Sequence, residues 1–559
     1  MIALSLALGS LAFCAVLVSF NRKLRSPSRS KSVGLIVLGD IGRSPRMLYH
    51  AQSFTKNGYT TYISAASFHL PPRAPLAGSN PPRALLESKH CHFIYLSQPL
   101  PWTSKLPRIA FLVFAPVKVL LGAASLLYAL LFRIPLAPSF FFVQNPPSIP
   151  TLPIVQLAAL LRRSKLVIDW HNTGYSVLSL RLGSDHPVVR IAKKIEFMFG
   201  SNAFAHLMVT ETMKLQLVEE ARLKGKALAF HDRPPRHFRR QSLAESHKLF
   251  LRLPELRAIT FPSSAAEPLH SLADEARSSS TTTFTTTSPL LNISLKPNRP
   301  ALLVTSTSHT PDEDLSILLR ALESYHETAA SQARQKAEED GKGAKVLPKV
   351  VLLVTGKGGG KAAFEREIAA LSSKSDFSSW VQISTAWLEL EDYPKLLGAS
   401  DLGISLHSST SGFDLPMKVV DMFGCELPVL ALDFPAIGEL VQDGVNGRTF
   451  KDETELAHQL VVSTSSSIRA RARTVLRCDG THCYVIQELL AGFGSQSDLE
   501  TELDRLRRGI RTTTYGTAAT ALDDTTRKAL VKRESERGTK WSDWEAHWDE
   551  LILPLLSKS

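Results

Sequence analysis

A chain of 559 residues, 44% hydrophobic and 21% charged, is long enough for two large domains and too apolar to be disordered or fibrous. Its net charge of +13 is scattered, with one cluster behind the first apolar run and no zinc-finger spacing, RNP-type segment or dense basic helix. Nucleic acid is therefore disfavoured as a partner, and anionic lipid or diphosphate substrates account better for the charge. Cys14, Cys91, Cys425, Cys478 and Cys483 form neither a disulfide framework nor a zinc cluster, which fits a reducing compartment.

Ile2 to Phe20 is almost uninterruptedly apolar and is followed by Arg22, Lys23, Arg25, Arg29 and Lys31. The length predicts a transmembrane anchor over residues 1–21, and the basic flank puts everything after it in the cytosol. Val33 to Leu38 reads as a buried strand, Gly39 to Arg46 (GDIGRSPR) as a tight turn into a helix ending near Asn57-Gly58, and Tyr59 to Ala65 as the next parallel strand. Pro71 to Pro82 is Pro-rich and irregular.

The stretch 106–142 is strongly apolar but broken by Lys118, Arg133, Pro116 and Pro135. One reading is a second transmembrane span, but the interruptions argue for a segment lying in the membrane surface or a partly buried helix pair, a further alternative being a core helix with a strand at Phe140 to Val143. A helix near Leu152 to Arg162 leads to the strand Lys165 to Asp169, and DWHNTGYS then opens a loop that sets His171 at the strand's carboxyl end. Further strands fall at Ala203 to Val209 and Lys226 to Phe230.

Phe261 to Pro297 is dominated by Ser and Thr and reads as a junction or insertion that cannot fold by itself. Ala301 to Thr305 starts a second sheet, and in the loop STSHTPDED Thr310, Pro311 and Glu313 predict a capping box for a helix to about Tyr325. Asp312 and Asp314 there read as helix-start acids in preference to a metal-binding pair. Thr328 to Lys345 is a solvated loop or helix extension, and Lys349 to Thr355 is a strand. The loop Gly356 to Lys361, GKGGGK, lacks Walker A spacing and is either a backbone approach to phosphate or a plain left-handed turn.

Leu402 to Leu406 is a short strand, His407 to Gly412 a small polar loop, and Asp414 to Phe423 a helix with Asp414 as N-cap, Pro416 in its first turn and Gly424 as a left-handed end. Such a loop offers hydroxyl and N–H groups where an open α/β sheet binds anions. Lys418 and Asp421, three apart, share a helix face and suit a diphosphate and a ribose respectively. In the tail, Trp541, Trp544, Trp548 and Leu551 mark one face of a closing helix expected to return to the first domain.

The segments VLGDIGRSPRMLYHA, DWHNTGYS, HDRPPRHF and SGFDLPMKVVDMFG resemble those of GT-B glycosyltransferases and, more narrowly, of the chitobiosyldiphosphodolichol beta-mannosyltransferase family. That resemblance implies an α/β protein with two Rossmann-like domains facing a cleft: an acceptor-side domain at 31–240 and a nucleotide-sugar domain at 298–475, with a helical tail at 476–559. It implies transfer of the first mannose from GDP-mannose to dolichol-linked chitobiosyl diphosphate, with inversion to a β1,4 bond, in the lipid-linked oligosaccharide synthesis that serves N-glycosylation. The enzyme would be a single-pass protein of the endoplasmic reticulum membrane with cytosolic catalytic domains, beside other enzymes of that pathway. Ser306, Gly356, Gly358, Lys418, Asp421 and Glu439 fall on the donor side, and Gly39, Gly42, Arg43 and Ser44 on the acceptor-side loop. Asp40 and His171 are both candidates for the base, and helix dipoles with cationic side chains could neutralise the leaving group without a metal. His309 stands where the family usually has tryptophan. Two rivals remain: a membrane-bound transferase using another nucleotide sugar, and a silent scaffold that keeps the sugar-nucleotide site.

Overall fold

The computed structural model describes residues 31–67, 85–97, 108–135, 137–259, 261, 281–288, 292–310, 313–338, 347–374, 376–389, 391–409, 412–460, 506–507, 509–510 and 544–557. The expected anchor at Ile2 to Phe20, the Pro-rich stretch 71–82, Asp312 and Trp541 lie outside them. The chain divides into two compact units, Met1–Asp232 and Arg233–Ser559, so the boundary falls inside HDRPPRHF.

The first unit is built on seven strands, all parallel: β1 (Ser32–Asp40), β2 (Thr60–Ser67), β3 (Cys91–Tyr95), β4 (Phe140–Asn145), β5 (Lys165–Trp170), β6 (Asn202–Met208) and β7 (Lys224–Ala229). Their order is β3-β2-β1-β4-β5-β6-β7. β1 and β4, in register through Leu35 and Phe142, are almost continuously apolar because helices cover both faces of such a sheet. Gly34 lets them close, since a Cβ there would stand 2.8 Å from the Phe141 ring. The direction of strand addition reverses between β1 and β4. The loops leaving these two carboxyl ends therefore diverge and open a crevice, the place where an open α/β sheet binds ligands.

One helix, Arg108–Tyr128, fills most of the apolar stretch, so the alternative of a helix pair does not hold. Pro116 is accommodated inside it, and a π turn at Ala129–Arg133 ends it. That ending has a local cause: the buried Arg162 guanidinium donates to the carbonyls of Leu130, Leu131 and Ile134 at 2.8–2.9 Å. The window Pro116–Arg133 is long and apolar enough to cross a membrane, and 22% of it is buried.

In the second unit a six-stranded parallel sheet runs β12-β11-β10-β13-β14-β15. Its strands are β10 (Ala301–Ser306), β11 (Val350–Thr355), β12 (Val381–Ala386), β13 (Leu402–Ser405), β14 (Val429–Leu432) and β15 (Gly447–Phe450), and here the reversal lies between β10 and β13. Apolar clusters cover both faces, one gathered on Leu318, Leu322 and Phe364, the other on Val420, Phe423 and Leu397.

Several expectations are corrected in this unit. The Ser/Thr-rich stretch is not wholly a linker: β8 (Thr285–Thr287) and β9 (Ile293–Leu295) form an antiparallel pair, anchored by Phe284 against Phe250. The helix expected from Thr310 begins at Leu315 and runs to Glu338, taking up much of the charged stretch as its extension. No capping box forms, because the Glu313 side chain is engaged elsewhere; Asp314 instead receives Ser316 N–H at 3.0 Å. Met417–Gly424 is three residues shorter at its start than predicted, and Asp414 accepts from the Ser409 hydroxyl without capping it. Gly424 is not left-handed. It is small because a Cβ would stand 2.7 Å from Pro234 and 2.8 Å from Phe238. The closing helix, Trp544–Ser557, with Trp544 and Trp548 buried, belongs to the second unit, not the first.

Candidate active site

In the first unit β1 ends at Asp40, whose carboxylate accepts Gly42 N–H at 3.0 Å and caps the 3-10 turn Ile41–Arg43. Ser44 donates to Gln144 at 2.7 Å, tying this loop to β4 across the switch point. The Arg43 side chain lies outside the described atoms. Gly39 has open space where a Cβ would be, so its smallness serves no packing among the described residues.

The next residues carry a network that the sequence reading missed. Arg46, in the first turn of the helix Pro45–Lys56, is buried; it grips Asp169 through Nε and Nη2, both at 2.9 Å, and meets Asp232 at 2.8 Å. His50, one turn on, brings Nε2 to 3.3 Å from the same Asp169 carboxylate, and His171 Nε2 comes to 2.9 Å. Burial alone would raise the Asp169 pKa, but the Arg46 charge and the His171 contact hold it well below the usual carboxylate range. Burial is the largest influence on His50 and pushes its pKa down to about 4, so this imidazole is neutral at physiological pH. A carboxylate offers no proton, so His171 donates through Nε2 and its neutral form carries the lone pair on Nδ1. Asp40 and His171 thus stand at carboxyl ends two strands apart, with β4 between them.

Beside them the buried Glu196 accepts from Asn145 Nδ2, Gly174 N–H and Tyr175 N–H at 2.8, 2.8 and 3.0 Å. It fills the N-terminus of the helix Gly174–Leu182, which is therefore closed to another anion. Gly174 is required by close approach, since a Cβ would stand 2.4 Å from the Ser148 hydroxyl.

In the second unit the central residue is Glu313, also missed as a site residue. Its carboxylate accepts from Thr307 Oγ1 at 2.7 Å, from Ser308 N–H at 2.9 Å and from the Lys418 ammonium. Glu313 is buried, whereas the Lys418 side chain keeps a quarter of its surface exposed at 26%. Asp421, one turn further along the same helix, faces the same strand end. Burial first and the Asp421 charge second raise the Tyr393 pKa, and Ser306 donates to the Tyr393 hydroxyl at 3.2 Å. Lys418 is thus tied through Glu313, and Ser306 through Tyr393, to the carboxyl end of β10, with the Asp421 charge felt at the same tyrosine.

Gly356 and Gly358 sit on the adjacent loop, but their smallness faces protein. A Cβ on Gly356 (φ +143°) would stand 1.7 Å from the Thr307 carbonyl oxygen, and one on Gly358 would stand 1.8 Å from that of Ser308. With no side chain at either position, one loop packs backbone to backbone on the next. His309 (φ +50°), packed 5.8 Å from the Phe364 ring, buries both ring nitrogens without a hydrogen-bond partner among the described residues. Glu439 ends the 3-10 turn Ile437–Glu439 beyond β14, two strands from β10. Among the described residues no group of three or more His, Cys, Asp or Glu is arranged to hold a metal ion.

The arrangement supplies two elements of group-transfer chemistry: an imidazole oriented by a buried carboxylate, and an accessible ammonium held beside a sheet's switch point. A family model described as glycosyl transferases group 1 matches residues 329–463. The chain is 40% identical over 436 residues to the chitobiosyldiphosphodolichol beta-mannosyltransferase of Dictyostelium discoideum, covering 77% of this chain and 83% of that one. To the Homo sapiens protein of the same name it is 38% identical, covering 78% and 86%. It is also 40% identical to a protein of Arabidopsis thaliana named UDP-glycosyltransferase TURAN, covering 77% and 88%. A solved structure of Anabaena Alr3699/HepE in complex with UDP is similar at 13% identity with a TM-score of 0.49, over 90% of this chain and 100% of that one. This likeness is too loose to fix a fold, which the two parallel sheets define by themselves.

Proposed function

The chain belongs to the chitobiosyldiphosphodolichol beta-mannosyltransferase family and is a glycosyltransferase, and from that premise we propose that it transfers the first mannose from GDP-mannose to dolichol-linked chitobiosyl diphosphate, with inversion to a β1,4 bond. On this reading it is a GT-B enzyme of the endoplasmic reticulum membrane, held by one N-terminal span with both units in the cytosol, and it serves lipid-linked oligosaccharide synthesis. The observation that carries the reading is the Glu313–Lys418 pair beside the switch point of the second sheet, with Lys418 on a segment that resembles the family's.

The step breaks the bond between the anomeric carbon and the GDP oxygen, and the acceptor hydroxyl takes the anomeric carbon from the opposite face. The departing diphosphate carries the electron pair, and the Lys418 ammonium stabilises it. The acceptor's proton goes to His171 Nδ1, with Asp169 holding the imidazole and stabilising the imidazolium. Asp40 is the alternative base; one of its oxygens already receives Gly42 N–H. Ser306 and Asp421 would meet the nucleotide, Glu439 a sugar hydroxyl, and Gly39 to Ser44 the acceptor.

Purified chain incubated with labelled GDP-mannose and chitobiosyl-diphosphate-lipid tests this directly: labelled trisaccharide-lipid is expected, and its absence in an assay where a relative turns over would sink the reading. The name of the Arabidopsis relative supports a second reading, a UDP-sugar as donor, which the same assay run with UDP-sugars would reveal. Nucleotide-sugar binding without any turnover would instead mark a silent scaffold.

A further inference from the structure

The exposed apolar side chains are distributed unevenly. Among the described residues, all the large ones but Leu295, Trp387 and Val445 lie in the first unit, and most of those stand on four helices: Arg108–Tyr128, Thr151–Arg162, Gly174–Leu182 and Pro187–Gly200. These four are neighbours in space, the first against the second, the second against the fourth and the fourth against the third. The last three follow β4 and β5 in one direction of strand addition, so right-handed crossovers put them on one side of the sheet.

Each helix buries one stripe and shows another. In Pro187–Gly200, Val189, Glu196 and Gly200 face inward, while Val188, Ile191 and Met198 recur outward at helical spacing. In Arg108–Tyr128, Val117, Leu120, Leu121 and Tyr128 are exposed, whereas Leu126 is buried and Arg162 pins the carbonyls that follow. That end of the helix is thereby tied to the helix Thr151–Arg162. Between Arg108 and Gly200 the sequence carries ten basic residues against three acidic ones; one base, Arg162, and two of the acids, Asp169 and Glu196, are buried. Arg181, Arg190 and Lys194 are exposed among the apolar stripes. A broad apolar surface interleaved with positive charge and almost free of negative charge is complementary to the interface of an anionic bilayer.

We propose that these four helices form one membrane-lying face that docks the first unit on anionic lipid, so that the contact extends well beyond the single apolar segment at 106–142. The inference stands whichever sugar is transferred. Its test uses the full chain reconstituted in vesicles of phosphatidylcholine, alone or mixed with phosphatidylserine, with a genetically encoded fluorescent amino acid replacing Leu120, Leu180, Ile191, Met198 or, as control, Trp387. Lipids brominated near the headgroup should quench the first four positions and leave the control unchanged. Quenching at position 191 should fall by at least about half when phosphatidylserine is omitted, or when Arg190→Glu and Lys194→Glu are introduced together. Quenching confined to position 120 would overturn the proposal, because the other helices would then face water or be covered by protein. Quenching indifferent to both phosphatidylserine and charge reversal would overturn its anionic-lipid basis.

Discussion

His171 Nε2 lies 2.9 Å from Asp169 Oδ2, on the carboxylate that the buried Arg46 guanidinium also grips. The carboxylate is thus held by Arg46 independently of the imidazole, and His171 Nδ1 belongs to an oriented ring. His171→Ala should lower kcat by about 10²- to 10⁴-fold, the span of a lost general base, while the thermal midpoint hardly moves. Steady-state kinetics together with a melting curve check this. Near-normal kcat would transfer the role to Asp40.

The same network makes the first unit sensitive to acid. His50 is buried with its pKa lowered to about 4, against about 6.5 for an unfolded histidine, so between these values the unfolded chain binds the extra proton. Stability from keeping this ring neutral is complete above the unfolded value and is lost as pH falls toward 4, by up to about 3 kcal/mol. Asp169, whose folded pKa is depressed, keeps its contribution until more acid conditions. Denaturant unfolding at a series of pH values should show a decline below pH ~6.5, and His50→Gln should flatten it.

How much of this was legible depended on sequence distance. β1, β4, β10 and β11 announce themselves as apolar runs, and the loops after them follow from the turn residues. Arg46, by contrast, finds Asp169 and Asp232 at separations of 123 and 186 residues, and no local pattern encodes such a pairing. Glu313 was misread for the same reason. Thr310 and Glu313 have capping-box spacing, but the Glu313 carboxylate is turned to Thr307, Ser308 and the distant Lys418. Arg46, Asp169 and Asp232 all lie inside the quoted motifs, so their ionic character was the one available signal.

Lys418→Ala should lower kcat/KM by at least about 10²-fold while leaving the fold intact, since Glu313 retains its bonds from Thr307 and Ser308. Glu313→Gln separates position from charge. It keeps the neighbours' geometry but releases the ammonium, so donor KM should rise more than kcat falls. Kinetics on both variants decide it, and near-normal turnover in Lys418→Ala would remove this residue from the donor site.

The loop GKGGGK allows a discriminating comparison. At Gly356 an added Cβ would clash with the Thr307 carbonyl at a backbone angle that side chains rarely adopt, whereas at Gly359 it would meet nothing within 4 Å. Gly356→Ala should therefore destabilise the second unit by roughly 3 kcal/mol or more, from strain and overpacking together, and Gly359→Ala should stay within about 0.5 kcal/mol. Function should follow the same division. Displacing Thr307 loosens the bond that holds Glu313, and through it Lys418, so donor KM rises in Gly356→Ala alone. If these glycines instead cradled phosphate through their backbone, a methyl group at Gly359 would also crowd the ligand, and Gly359→Ala would lose donor affinity without losing stability. Melting curves and donor KM for the two variants, measured side by side, separate a loop packed on its neighbour from one packed on a nucleotide.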